Sequence, residues 1–421
     1  MPKSNKNKNK NKKKQKTKII QIPIQIKLYK ANKNINRNIY LELIKKIKIV
    51  LTIFFFILFN IFIIIIYKRK FVHNSIKHED NIKKIENYYK LNKTRIGVIS
   101  VNNDLNPGNN LVKFSIFTIL KEYGFEPIII ATNKYKTNSS FLYKTVKFKE
   151  IKNSFSWELK EQDYDILMVN SDQTWTYSEK KYFYDVAFLR FAQNWKVPKF
   201  VYGASMGIGH WFYSKRDDDI AKSLLINFSG ISLREKAILK LAEVHLNIKP
   251  SFVLDPTFLL DKSYYLNLIK DYNRDFNFNE KYIFFYQLDY NRLISEFIKE
   301  VSEKLNYKIY KFNKDSGNYV ENFIFGMNIS QAVITDSYHG TVFSIIFNKP
   351  FISYINTQRG RSRFESLSET FNLVDRIIYQ IESINKGYKL LLEPLNINRT
   401  LLNELKNSSL NFLKKNLGLL E

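Results

Sequence analysis

With 421 residues and 45% hydrophobic content, the chain is long enough for two domains of ordinary size, and its 13 Gly and 9 Pro exclude a fibrous or linker-dominated protein. The absence of cysteine excludes disulfides, zinc–thiolate centres and cysteine nucleophiles. A net charge of +28 points to a nucleic-acid binder only until it is divided: residues 1–48 carry 16 Lys/Arg against one Glu, so 28 less 15 leaves +13 for all the rest.

Residues 1–48 form a basic, Asn/Lys-rich, low-complexity tail without the aromatic interleaving of a strand binder, so no nucleic-acid partner is expected. Residues 49–67, IVLTIFFFILFNIFIIIIY, follow without a charge, and only Thr52 and Asn60 are polar. At about 1.5 Å per residue the run spans roughly 28 Å, close to the thickness of a bilayer's hydrocarbon core. A buried globular helix would show a polar face, and this run shows none, which predicts a transmembrane helix. Lys68-Arg69-Lys70 follows directly, with no small-residue cleavage site, so the segment reads as a signal anchor. The more basic side belongs in the cytosol, which predicts a single-pass type II protein with its folded part lumenal or extracytoplasmic, Golgi-like if the cell is eukaryotic. Six Asn-X-Ser/Thr sites, at Asn92, Asn138, Asn227, Asn328, Asn398 and Asn407, are compatible with that topology. Residues 68–94 read as a polar stem.

Folded structure is expected from Arg95. Ile96–Val101 reads as a strand, 102–110 as a loop, Leu111–Tyr123 as an amphipathic helix and Pro127–Ala131 as a second strand, a βαβ start. The single Gly108 is no dinucleotide fingerprint. Ile166–Val169 is a buried strand ending at Asn170-Ser171-Asp172-Gln173, and Lys199–Ala204 is the next. Ala221–Phe228 and Lys236–Val244 read as helices around a short strand, Ile231–Leu233, which runs into Arg234-Glu235; Phe252–Leu254 leads to Asp255-Pro256. The pattern breaks over 261–279. The alternation then resumes, with strands at Tyr282–Gln287 and Lys308–Phe312, and helices at Arg292–Leu305 and Tyr319–Ser330. Arg363–Asn372 and Leu401–Leu417 are further helices, the latter closing the fold. The reading is an α/β protein of two doubly wound, Rossmann-like halves, 95–260 and 280–421, facing a cleft.

One stretch organises the rest: AVITDSYHGTVFSIIFNKPFISYI, residues 332–355. It reads as strand, a polar turn over Ser337–Gly340, a helix over Thr341–Phe347, a proline break and a strand. In an open α/β sheet ligands sit beyond the strands' carboxyl ends, where the next helix offers free N–H groups. His339 is therefore placed where a titratable group is useful, the alternative being a histidine that caps or packs its helix. With only His73, His78, His210, His245 and His339, and no carboxylate cluster to pair with them, no metal site is expected.

This stretch resembles the polysaccharide pyruvyl transferase family, whose signature runs close to TDSFHGTVFSIIF. Other segments are similar to family segments in the same order: Asn170–Trp175 to GSDQVWN, Phe200–Ser205 with Gly207 to YAASFG, Ser232–Glu235 to SVRE, Val253–Thr257 to VLDPT and Ser362–Leu367 to SRIxSLL. The resemblance covers about Arg95 to Arg376. It implies a two-Rossmann, GT-B-like glycosyltransferase architecture and an enzyme that moves a pyruvyl group from phosphoenolpyruvate onto a glycan sugar as a cyclic ketal, with no cofactor beyond that donor.

Such a reaction needs cations or helix N-termini for the donor's carboxylate and phosphate, a group that hands a proton to the methylene carbon, and help for two attacking hydroxyls. The resemblance puts His339 and Arg234 in the catalytic roles, and Arg363 in substrate binding with Ser337, Asn170, Ser171, Asp172, Gln173 and Arg361. Each has a plain alternative: an ion pair for Arg234, a solvated basic loop for Arg359 and Arg361, helix capping for Asn170–Gln173. Asp255-Pro256 is expected to shape a turn, and Asp336 to orient His339 or to cap. Many family members have arginine where this chain has Ser337, which shifts the anion duty to Arg234, Arg363 or backbone N–H groups. Two rivals share the architecture, a nucleotide-sugar glycosyltransferase and a non-catalytic glycan-binding membrane protein.

Overall fold

The computed structural model describes residues 94–101, 106–132, 140–177, 182–272, 279–313, 318–355, 360–379 and 387–420. The basic tail, the apolar segment 49–67 and nearly all of the stem lie outside these residues. Among the described residues no helix is long and apolar enough to cross a membrane.

Two all-parallel sheets carry the fold. The first holds β1 (Arg95–Ile99), β2 (Glu126–Thr132), β3 (Phe148–Ile151), β4 (Ile166–Val169), β5 (Lys199–Ala204), β6 (Gly230–Leu233) and β7 (Ser251–Phe252), in the order β3-β2-β1-β4-β5-β6-β7. The second holds β8 (Tyr282–Tyr286), β9 (Lys308–Lys311), β10 (Ala332–Thr335), β11 (Phe351–Tyr354) and β12 (Ile377–Ile378), in the order β12-β11-β10-β8-β9. Each order reverses once, between β1 and β4 and between β8 and β10. Those reversals open a crevice at the strands' carboxyl ends.

The strands are short apolar runs because parallel strands are covered on both faces. Alternate residues enter different cores. Val98, Met168 and Tyr202 of the first sheet join Phe284, Tyr286 and Val333 of the second in one continuous core between the sheets. The opposite residues, Ile99, Leu167 and Val201, face an outer core, and Ile283, Ile334 and Ile352 face another. Packed between the sheets are α1 (Pro107–Glu122) and, later in the chain, the helices over Tyr319–Ile329 and Tyr338–Ile346, which contribute Phe323 and Phe343 to the shared core. Fully burying one such ring is worth about 1.5–3 kcal/mol.

Between β5 and the second sheet come α2 (Lys215–Leu225) and α3 (Lys236–Leu246). The second half adds α4 (Arg292–Leu305), α5 (Tyr319–Ile329), α6 (Tyr338–Ile346) and α7 (Arg361–Phe371). Finally α8 (Arg399–Asn416) leaves the second sheet and packs on the first half: Leu254 N–H donates to Ser409 Oγ at 2.9 Å, Ser229 Oγ pairs with Asn416 Oδ1 at 2.9 Å, and Phe412 lies 6.2 Å from the Tyr202 ring.

Several helices start earlier than expected, most of them because a capping side chain lies upstream of the first apolar residue. Asn106 accepts from Gly108 N–H, with Pro107 in the first turn, so α1 begins four residues before Leu111. A Ser214/Asp217 capping box starts α2 at Lys215 and not at Ala221. Ser337 Oγ accepts from Gly340 N–H at 3.3 Å, so Tyr338-His339-Gly340 is the first turn of α6, not a loop. A short helix, Lys262–Asn267, lies within the expected connector, and a helix at Ser140–Thr145 and strand β3 occupy a segment that carries no clear periodic signal.

Candidate functional site

The two crevices meet at a buried cluster of charges. Arg234 stands just after β6, where its backbone N–H still bonds to Ala204 O, and its guanidinium is almost fully enclosed. One end binds Asp172 Oδ1 at 2.7 Å, and the other binds Asp255 Oδ2. Burial raises a carboxyl's pKa, but the Arg234 charge overrides it at both partners, holding Asp172 and Asp255 below the usual carboxylate range. Burial likewise works against the Arg234 charge and is outweighed by Asp255, so its pKa is raised.

His339 comes from the second half and reaches the same carboxylate, its Nε2 3.6 Å from Asp255 Oδ2. That nitrogen is buried and makes no hydrogen bond. The imidazole lies against Gly108, in the first turn of α1, and a Cβ there would run into the ring. A helix N-terminus from each half thus converges on one side chain.

Arg363, in the first turn of α7, approaches from a third direction, 3.7 Å from Asp172 Oδ1. The Arg234 and Arg363 guanidiniums both lie over the Tyr338 ring, at 4.8 and 5.0 Å. Burial and the neighbouring Arg234 charge lower the Arg363 pKa. Two cations are held together at a cost that a bound anion would relieve.

The rest of the cluster comes from residues whose roles the sequence does not announce. Lys113, fully buried on α1, donates to Asn109 Oδ1 at 2.5 Å, and Asn109 Nδ2 donates to Asp172 Oδ2 at 2.7 Å. The available signal is a lysine on the apolar stripe of an amphipathic helix, at the spacing of Leu120 and Ile116. Glu235 is fully buried, accepts from Ser205 Oγ and from the backbone N–H of Met206 and Gly207, and is pushed upward in pKa by burial. It clamps a turn in which Gly207 (φ +77°) lets the Gln173 side chain pass where a Cβ would collide.

The expected site residues therefore divide. Arg234, His339, Asp172 and Arg363 are brought together, and Asp255 joins them as an ion-pairing group as well as a turn former that caps Thr257 N–H at 3.0 Å. Asp172 does so at φ +90°, a strained backbone for a non-glycine residue. Asn170 is buried alongside, its Nδ2 3.5 Å from Ser100 Oγ. Gln173 is half-buried over Gly207. Ser171 spends its hydroxyl on Gly203 O at 2.8 Å, and Ser337 caps α6. Arg361 points to solvent, paired with Glu365 at 2.6 Å and set over Tyr379, and is not part of the cluster. Arg359 lies outside the described residues. Asp336 neither touches His339 nor caps α6: its carboxylate accepts from Leu288 and Asp289 N–H at 2.6 and 3.0 Å.

A model of the family described as polysaccharide pyruvyl transferase matches residues 106–358. No curated protein matches the sequence. Among solved structures, a Listeria monocytogenes protein provisionally described as a UDP-N-acetylglucosamine 2-epimerase aligns at a TM-score of 0.51 and 11% identity, covering 78% of this chain and 98% of that one. The S. aureus MnaA–UDP structure aligns at 0.48 and 13%, covering 78% and 98%. At this identity the first likeness shows a GT-B-like, two-sheet fold and nothing of the reaction.

Proposed function

Since the chain belongs to the polysaccharide pyruvyl transferase family, we propose that it transfers the pyruvyl group of phosphoenolpyruvate to two hydroxyls of a glycan sugar, forming a cyclic ketal and releasing phosphate. The observation that carries this reading is the enclosed cluster in which Arg234, Arg363 and His339 converge from both halves. Arg234 is already balanced by Asp172 and Asp255, so it acts as the frame that fixes those carboxylates. Arg363, whose charge its surroundings disfavour, is the cation with most to gain from the donor's carboxylate or phosphate.

In this reading the bookkeeping is simple. The first hydroxyl adds to the substituted carbon while the methylene carbon takes a proton and becomes methyl. The second hydroxyl displaces phosphate, which leaves with the remaining proton. His339 Nε2, buried and without a hydrogen bond, is the group positioned to hand over or receive a proton. Asp255 beside it stabilises the charged imidazole that receiving a proton creates. The site faces the lumen or the cell exterior if the apolar segment 49–67 anchors the chain as expected.

The test is phosphate release by the full chain from phosphoenolpyruvate with methyl β-galactoside, N-acetylmannosamine or N-acetylglucosamine. Release that depends on the acceptor, and a loss of about 10²–10⁴-fold in His339→Asn with folding retained, are expected. Protection of the protein against heating by a nucleotide sugar and not by phosphoenolpyruvate would instead favour glycosyl transfer.

A further inference from the structure

The loop that leaves β5, residues 206–213, meets the charge cluster near its start and a separate group of side chains further on. At its start it lies along the first turn of α7. A Cβ at Gly207 would stand 3.5 Å from Gly360 Cα, and one at Gly209 would stand 3.9 Å from Ser362 Cβ. Arg363 folds back over Gly360, its guanidinium filling the space that a Cβ there would need. The loop therefore backs the residue over which the donor-binding cation lies.

Further along, Trp211 is held by two helices. Its ring lies flat on the His245 imidazole in the last turn of α3, with centroids 4.8 Å apart and planes 12° from parallel. Its indole N–H donates to Asp218 Oδ1 at 2.8 Å, in the first turn of α2, and the other oxygen of that carboxylate lies 3.2 Å from His245 Nδ1. One carboxylate thus fixes both rings of the stack. Packing alone would be served by two apolar rings, whereas here polar atoms from three elements are matched to one another.

The neighbouring charges are committed elsewhere: Asp217 to Tyr184 and Ser214, Asp219 to Lys222, Glu243 to Lys240. Asp218 is the carboxylate that faces His245. When His245 takes up a proton, its hydrogen bond becomes an ion pair and the imidazolium lies on an aromatic face, so both contacts strengthen. The helix ends work in the same sense, since an N-terminus favours the carboxylate and a C-terminus the cation.

We propose that Trp211, Asp218 and His245 are positioning residues: they latch the loop 206–213 and, through Gly207 and Gly360, keep Arg363 directed at the donor, more firmly when His245 carries a proton. That the cation so held serves phosphoenolpyruvate rests on the function proposed above.

His245→Phe in the full chain tests it, because it keeps a ring on Trp211 and removes both the hydrogen bond and the charge. An imidazolium against an indole quenches its fluorescence. Trp211 emission, taken as the difference from Trp211→Phe, should therefore fall as pH drops through the range in which histidine gains a proton, and stay level in His245→Phe. KM for phosphoenolpyruvate should rise about two- to fivefold in that variant, most on the acid side, with kcat and melting temperature near their native values. Should the chain not consume phosphoenolpyruvate, inorganic phosphate becomes the probe; phosphate binding weakened by a similar factor in His245→Phe keeps the latch while the donor assignment falls. Emission that does not titrate, a KM and phosphate affinity unchanged in His245→Phe, or a loss of rate that only follows a lower melting temperature would each overturn the latch.

Discussion

The two crevices hold their buried polar groups in opposite ways. At the first, Asp172 and Asp255 share Arg234, Asn109 and Lys113 brace Asp172, and Arg363 stands beside them with a charge that its surroundings disfavour. At the second, Asp336 is met by the backbone N–H groups of Leu288 and Asp289, with the Tyr354 phenol and the Gln287 amide beside it. The difference separates two jobs. Ion pairs that frame a cluster can hold a reacting geometry fixed, whereas a carboxylate met by neutral donors pins a loop.

The largest effect that would break this contrast is at Arg234. Arg234→Ala strands Asp172 and Asp255 as buried charges, and removing one partner of such a pair costs about 3–5 kcal/mol. Urea denaturation should show that loss, with no measurable phosphate release. A variant of near-normal stability would mean that the network is not closed as described.

The second crevice has its own signature in pH. Burial pushes the Asp336 carboxyl up to about 6 from an unfolded value of 3.8. A group whose pKa rises on folding stabilises the native state below its unfolded value, and that contribution fades as pH rises through the folded value. Stability should therefore fall between pH 4 and just above 6, by about 3 kcal/mol at most. Glu235, also raised, adds the same sign, while Asp172 and Asp255, both lowered, act only in more acidic solution. Asp336→Asn should flatten the slope even where the amide, a poorer match for two N–H donors, lowers stability throughout. A slope unchanged in that variant would assign the effect elsewhere.

A smaller change probes the join between halves. Gly108→Ala pushes a methyl into the His339 ring, and overpacking of this kind costs about 1–3 kcal/mol. Turnover should fall much further than stability, because the imidazole must move. The smallest effect is expected at Arg361, whose ion pair with Glu365 is exposed: Arg361→Ala should leave both the urea midpoint and the rate of phosphate release unchanged.

How far the sequence could be read follows from where each signal lies. Alternating apolar runs and helical stripes are local, so the two α/β halves are legible, as is the run from Thr335 to Phe347 that marks the family. Caps are legible only if sought upstream of the apolar residues, which is why α1, α2 and α6 begin at Pro107, Lys215 and Tyr338. Partnerships are not local at all. Arg234 meets Asp172 across 62 residues, and Asp255 reads as a turn until the fold delivers His339 to it. Arg361 and Arg363, two residues apart, face opposite ways because they lie on different faces of α7, a distinction that depends on where the helix begins.

The return of α8 to the first half bears on how the chain is made. Tyr202, Leu254 and Ser229 are covered by a helix that follows the whole second half in sequence. As the chain leaves the ribosome the first sheet can form its strand pairs, but it stays bare along this side until residues 399–416 emerge. Synthesis order thus ties completion of the first domain to the arrival of the second, and a chain stalled between them would present the Tyr202 side as an open apolar surface for a chaperone to hold.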